Sequence, residues 1–104
     1  MDRESAKKHI TETCGLGWLN LVDIIYDNKP EHISISQLYQ KWAGLKVDYN
    51  GNDEDFDELI DSIYTISQKM CEICGNSGKQ VTVEDWEITL CDEHYALSKL
   101  MQEG

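Results

Sequence analysis

The sequence predicts an α+β fold, a small helical domain with a short sheet and a C-terminal β-hairpin followed by a helix. Residues 18–26 and 53–70 carry apolar side chains at the spacing of one helix face, whereas residues 79–83 and 86–90 have the composition of short strands. A chain of 104 residues has room for one hydrophobic core. We therefore predict a single domain over residues 1–104.

The first part of the chain predicts two helices. Residues 4–14 are polar enough for a surface helix, which Gly15 would end. A second helix begins at Trp18, since the apolar residues of WLNLVDIIYD lie on one face, and it ends in the Asn-Lys-Pro sequence at 28–30. We expect Trp18 in the core because a small domain needs large apolar side chains.

The next segment is predicted to form a short helix and then a strand. Leu38 and Trp42 stand four residues apart, which predicts a helix from about Ser36 to Gly44 with Trp42 in the core. Apolar residues then alternate over residues 45–49, as in a strand with one buried face.

The second half of the chain predicts two helices and a hairpin between them. Residues 53–70 give the clearest helix, because its apolar side chains form one continuous stripe. The strands at 79–83 and 86–90 flank Glu84 and Asp85 and are predicted to pair as a hairpin. A last helix is expected over about residues 92–101.

The most specific motif consists of three cysteines and one histidine. Cys71 and Cys74 are separated by two residues, as are Cys91 and His94, in the segments CEICG and CDEH. Each pair turns the backbone so that two ligands converge, and the segment between the pairs brings them to one point, as a tetrahedral zinc ion requires. Gly75 suits the positive φ that such a turn often adopts. The pattern predicts Zn²⁺ bound by these four side chains.

The predicted zinc ion is structural, and it makes the C-terminal hairpin and helix a zinc-stapled subdomain over about residues 69–101. A catalytic zinc ion keeps one position open for water, whereas three thiolates and one imidazole would complete the shell. The sequence has no HExxH motif and no HxE motif paired with PCxxC. Buried thiols beside an unrelated histidine, or a disulfide framework, are the alternatives. His9 and His32 are expected to be solvated, and Cys14 to be a small buried residue rather than a reactive thiol.

Further features accompany the zinc motif: Gly17-Trp18, the segment WAGLK at residues 42–46, an acidic helix before CEICG, and Trp86 before TLCDEH. This combination, over residues 15–96, resembles a widespread family of small phage and bacterial zinc-knuckle proteins. The resemblance implies the same four metal ligands and places the strand that begins at Trp86 in the zinc subdomain. Members of that family have no assigned activity, so the resemblance implies a fold and a metal rather than a reaction.

The composition excludes several classes of partner. The chain has 20 Asp and Glu residues against 9 Lys and Arg, a formal charge of −11. Nucleic acid and anionic membranes would repel so acidic a chain, and we expect neither as a partner. No apolar run is long enough to span a bilayer. The first ten residues lack the apolar core of a signal peptide, which predicts a cytoplasmic protein.

The acidic residues are concentrated in two stretches, 48–61 and 84–93, that contain no lysine or arginine. A solvated helix start is the simplest interpretation of the first stretch, because carboxylates favour the first helical turn. A calcium loop beginning at Asp48 fails, since its sixth position is not glycine and its twelfth is not glutamate. The residues that we predict to bind a basic partner are Asp53, Asp55, Asp57, Glu58, Asp61, Glu84, Asp85 and Glu87.

Size, charge and the lack of a catalytic motif together predict a non-enzymatic binding protein that inhibits a basic, nucleic-acid-acting protein. By size and charge the chain is similar to bacterial immunity proteins, which neutralise cognate toxins such as nucleases, including those of contact-dependent inhibition systems. The alternatives are a phage inhibitor of a host defence protein and a small zinc-dependent nuclease or other hydrolase.

Overall fold

The computed structural model describes residues 1–103, with side chains up to residue 100, and confirms the predicted α+β class. Over that range the elements follow in the order α1 (Arg3–Thr13), α2 (Leu19–Asp27), β1 (Ser34–Lys41), β2 (Gly44–Asn50), α3 (Glu54–Ser67), β3 (Lys79–Val83), β4 (Trp86–Leu90) and α4 (Asp92–Glu103). β1 pairs with β2, and β3 pairs with β4, in two separate antiparallel sheets. Residue 104 of the predicted domain lies outside the described part of the chain.

The two N-terminal helices form close to where the sequence predicts them. The Asp2 carboxylate accepts a hydrogen bond of 2.8 Å from the Ser5 amide and caps α1. The α1 helix is not purely a surface helix, because Ile10 is completely buried. Trp18 is in the core as expected, and its indole nitrogen donates to the Met70 carbonyl at 3.0 Å.

The helix predicted from Ser36 to Gly44 is wrong, because this segment belongs to the β1–β2 hairpin. A β-bulge between Ile35 and Gln37 leaves two successive side chains exposed, so the buried positions fall at Ile35 and Leu38. Leu38 and Trp42, whose four-residue spacing predicts a helix, instead lie on β1 and in the hairpin turn.

Trp42, which we expected in the core, is 59% exposed. It forms the β1–β2 turn together with Ala43, and the two residues have φ values of 52° and 62°. A two-residue hairpin turn needs positive φ at both central positions, because only then does its twist match that of the strands. The β3–β4 turn has the same form, with φ values of 52° and 67° at Glu84 and Asp85.

The helices and the first hairpin share one large core, and the second hairpin has a small core of its own. α3 packs on β2, where the Ser67 hydroxyl accepts a hydrogen bond of 2.8 Å from the Leu45 amide. The buried residues of the large core are Ala6, Ile10, Trp18, Leu21, Val22, Ile25, Ile33, Ile35, Leu38, Leu45, Val47, Phe56 and Ile63. Those of the small core are Cys71, Leu90 and Cys91.

Direct backbone contacts hold the second hairpin against the helices. The Gly17 amide donates to the Glu72 carbonyl at 2.8 Å. A Cβ atom at Gly17 would lie 2.0 Å from the Cys71 carbonyl oxygen, so only glycine permits this approach. The Thr89 hydroxyl donates to the Ala43 carbonyl at 2.6 Å, which links β4 to the tip of the first hairpin. Within the described residues, no helix combines the length and the apolar character that crossing a membrane requires.

Candidate metal centre and acidic surface

The structure brings the four predicted ligands together at the start of the second hairpin and at its end. Cys71 and Cys74 lie in the turn before β3, and Cys91 and His94 lie where β4 passes into α4. The Gly75 amide donates to the Cys71 carbonyl at 2.8 Å with φ of 83° at Gly75, which confirms the positive φ expected there. One potential ligand atom from each side chain lies within 4.8 Å of the other three.

The distances between these atoms fit a tetrahedral metal ion. The sulfur atoms of Cys74 and Cys91 are 3.8 Å apart, and Nδ1 of His94 lies 3.5 Å from the Cys71 sulfur and 3.2 Å from the Cys91 sulfur. A tetrahedral zinc ion holds two sulfur ligands about 3.8 Å apart, and a sulfur and a nitrogen about 3.5 Å apart. A disulfide would require about 2.05 Å between the sulfurs, so the side chains are arranged as ligands rather than as a bridge.

The surroundings favour the thiolate form of Cys71 but not that of Cys74. Burial raises the pKa of the Cys71 thiol, but the backbone amides of the two turns outweigh burial and lower that pKa to about 7. The Asn76 amide lowers the pKa of Cys74, whereas burial and the neighbouring cysteines leave it above its ordinary value. Adjacent thiolates repel one another, and a divalent cation among them removes that repulsion. The four side chains therefore form a candidate metal site with a complete set of protein ligands.

The five predicted partner-binding residues of the first acidic stretch lie in or directly before α3, and they differ in their contacts. Asp53 is the N-cap, since its carboxylate accepts a hydrogen bond of 2.9 Å from the Phe56 amide, and its other oxygen lies 3.6 Å from Nε2 of His32. Asp57 accepts a hydrogen bond from the Tyr49 hydroxyl. These two carboxylates stabilise the fold locally. The remaining three, Asp55, Glu58 and Asp61, are exposed on α3 and are called the acidic face below.

The second acidic group lies at the tip of the second hairpin, beside two exposed tryptophans. Glu84 and Asp85 form the turn, and Glu87 follows on β4. Trp86, whose position the sequence left open, is 59% exposed, as is Trp42. A groove of about 520 Å³, called the tip groove below, is lined by Lys41, Trp42, Thr82, Asp85, Trp86 and Glu87. The structure thus places exposed aromatic side chains and carboxylates together at this tip.

The remaining single residues are placed as follows. Cys14 is half-buried, and burial raises the pKa of its thiol to about 11, in keeping with an unreactive cysteine. His32 is exposed, as expected, and its Nε2 lies 2.9 Å from the Asn52 carbonyl oxygen. His9 is half-buried rather than solvated.

Sequence reasoning missed Glu72, the residue after the first metal ligand. Glu72 is 6% exposed, and its Oε2 atom has no hydrogen-bond partner within the described residues. Burial raises the pKa of this carboxyl to about 7, although the nearby Thr89 backbone and Gln40 side chain act to lower it. An acidic residue between two cysteine ligands suggests exposure, and only the packing of the turn against α1, β1 and β4 buries it.

No protein-family model matches the chain, and neither the curated proteins nor the solved structures contain a significant match. The resemblance to the zinc-knuckle family therefore stays a prediction.

Proposed function

We propose that this chain is a non-enzymatic, zinc-stabilised binding protein that inhibits a basic, nucleic-acid-acting protein. More specifically, we propose an immunity protein that neutralises a toxin nuclease in the cytoplasm. The observation that carries the proposal is the acidic face of α3. Asp55, Glu58 and Asp61 are exposed there, and none of them forms an ion pair with any residue that the structure describes.

Several of the basic residues are engaged elsewhere and do not neutralise this face. Arg3 lies 2.5 Å from Asp27, and Lys7 lies 3.1 Å from Asp23. Lys46 stacks over Tyr64, with its ammonium 4.4 Å from the ring centre. With a formal charge of −11, the protein has the field needed to steer a positively charged partner onto an exposed acidic surface.

The metal centre supports a structural role and gives no support to catalysis. Three thiolates and one imidazole suit zinc, and four protein ligands leave no position for a water molecule that could attack a substrate. The zinc-dependent hydrolase considered from the sequence therefore gains no support from the site. A phage inhibitor of a host defence nuclease would use the same acidic face and would differ only in its partner.

The tip groove supports the proposal with the kind of anchors that protein interfaces use. Interfaces draw most of their binding energy from a few large aromatic side chains that become buried in the complex. Trp42 and Trp86 are exposed, and Asp85 and Glu87 lie beside them in the tip groove. Carboxylates around such anchors would set the association rate and the orientation of a basic partner.

The proposal is tested by capturing proteins from a host lysate on the zinc-loaded full chain and measuring inhibition by the same chain. We expect the captured protein to be a basic nuclease whose cleavage of nucleic acid stops at about one equivalent of inhibitor. The variant Glu58→Lys/Asp61→Lys should associate about tenfold more slowly at low salt, and the difference should shrink as salt screens the charges.

A matched control separates a local effect from a change in net charge. Glu4→Lys/Glu12→Lys changes the net charge equally, but at exposed residues of α1, and it should associate close to the wild-type rate. Equal slowing in both variants would show that the acidic face is not the interface. A captured partner that is not basic, or a nuclease that the chain leaves active, would contradict the proposed function.

A further inference from the structure

A second hollow shares Trp86 with the tip groove as a lining residue. It has a volume of about 350 Å³ and opens between the end of α1, the middle of β1 and strand β4. Cys14, Tyr39, Gln40, Glu72, Trp86 and Ile88 line it. None of these is a residue that we predicted to bind a partner.

One residue in the lining of the hollow carries a buried acceptor atom without a donor. Glu72 is 6% exposed, and its Oε2 atom has no hydrogen-bond partner within the described residues. Its backbone is fixed on both sides, because the Glu72 amide donates to the Thr89 carbonyl at 3.0 Å and the Gly17 amide donates to the Glu72 carbonyl at 2.8 Å. A buried carboxylate oxygen without a donor is costly, so a cationic donor bound there would gain a charge-assisted hydrogen bond.

The walls of the hollow favour a cation with an apolar stem. No lysine or arginine lines it, and His9 is its one basic side chain. The α1 helix ends at the hollow with no basic residue in its last turn, so the negative end of its dipole is not compensated. Tyr39 and Ile88 provide an apolar wall, and the Trp86 indole is held by a 2.7 Å hydrogen bond to Gln40.

We propose that this hollow is a binding pocket for an arginine side chain of the basic partner. The guanidinium group donates to the Glu72 carboxylate, its plane stacks on the Trp86 indole, and its methylene stem lies against Ile88. Arginine suits the pocket better than lysine because its guanidinium is planar, stacks on aromatic rings and is less strongly hydrated. The inference rests on the proposed function for the statement that the partner is a basic protein.

The test uses a probe of stated chemistry on the zinc-loaded full chain. N-acetyl-arginine-amide is titrated into ¹⁵N-labelled protein, and the indole resonance of Trp86 is followed. We expect a saturable shift with a dissociation constant in the millimolar range. N-acetyl-citrulline-amide has nearly the same shape without the charge, and it should bind about tenfold more weakly or not at all.

Two variants test whether arginine binding depends on the Glu72 carboxylate. Glu72→Gln keeps the shape of the side chain and should weaken arginine binding about tenfold. Glu4→Gln removes one negative charge from the exposed start of α1 and should bind as the wild type does. Equal binding of citrulline, a shift without saturation, or shifts confined to the amides of α3 would overturn the pocket. The comparison of arginine with citrulline uses the wild-type chain. It therefore tests the pocket even if Glu72→Gln does not fold.

The pocket and the proposed function fail separately. In one outcome, wild type and Glu72→Gln both capture the same nuclease while Glu58→Lys/Asp61→Lys does not. That result would support the proposed function and contradict the arginine pocket. Saturable arginine binding that depends on Glu72, in a chain that captures no basic protein, would support the arginine pocket. The same result would contradict the proposed inhibitor function.

Discussion

Removing the metal from the full chain should unfold the second hairpin and α4 and leave the helices α1, α2 and α3 folded. Among the residues whose burial the structure describes, the large core contains no buried member after Ile63, so most of its packing does not involve the metal site. Among the described residues the small core has three buried members, and two of them, Cys71 and Cys91, belong to the candidate metal site. A two-stranded hairpin is marginal by itself, so without the ion this part has too little buried surface to stay ordered.

The size of the effect follows from the helix lengths. α4 has 12 residues, whereas α1, α2 and α3 have 11, 9 and 14. Chelation should therefore lower the helical ellipticity at 222 nm by about a quarter, since ellipticity scales with helical content. The measurement combines circular dichroism with a zinc-release assay under reducing conditions, and adding zinc back should restore the signal. The methyl resonances of Ile10 and Ile63, which are buried in the large core, should keep their positions throughout.

Cysteine variants provide the matched comparison. Cys74→Ser removes a ligand and should reproduce the chelated spectrum, whereas Cys14→Ser removes a cysteine outside the site and should retain metal and ellipticity. An unchanged spectrum and melting temperature after complete metal release would refute the structural role. Loss of most of the helical signal would refute the independence of the large core.

Three further outcomes are expected. Gly17→Ala would place a Cβ atom 2.0 Å from the Cys71 carbonyl oxygen and 2.6 Å from the Gly75 amide nitrogen. Urea unfolding should show a free energy of unfolding lower by about 3 kcal/mol. An unfolding free energy equal to that of the wild type would contradict the close approach. Burial raises the pKa of the Cys14 thiol to about 11. In the zinc-loaded protein this thiol should therefore react with iodoacetamide at pH 8 about a hundredfold more slowly than free cysteine. Peptide mass mapping measures the labelling rate, and fast labelling would show that the thiol is accessible. Burial, together with the hydrogen bond to Asp57, raises the pKa of Tyr49 to about 12, so the protonated phenol stabilises the fold fully below pH 10 and progressively less between pH 10 and 12. Over that window the free energy of unfolding of the wild type should fall relative to that of Tyr49→Phe by less than about 1 kcal/mol per pH unit, because solvent screens this partly exposed pair. The same difference in unfolding free energy between the two proteins at pH 9 and at pH 11 would rule out the linkage.

The sequence by itself determined the fold class, most of the elements and the four side chains that come together in the candidate metal site. The Cys-x2-Cys and Cys-x2-His pairs are local patterns, and the geometry of a metal site limits which spacings can supply four ligands. The helix predicted over 53–70 depends on a long apolar stripe, and α3 fills most of that range. These features could be predicted because each depends on interactions within one short segment or on the fixed chemistry of the ion.

Only the tertiary structure decided which polar and aromatic side chains are exposed. Leu38 and Trp42 have the spacing of a helix, but pairing of β1 with β2 puts Trp42 in the turn, where it is exposed rather than in the expected core. Glu72 has the sequence context of an exposed acid, yet the packing of three separate elements buries it. The physical reason is that burial depends on what distant segments place around a side chain, and no local pattern contains that information.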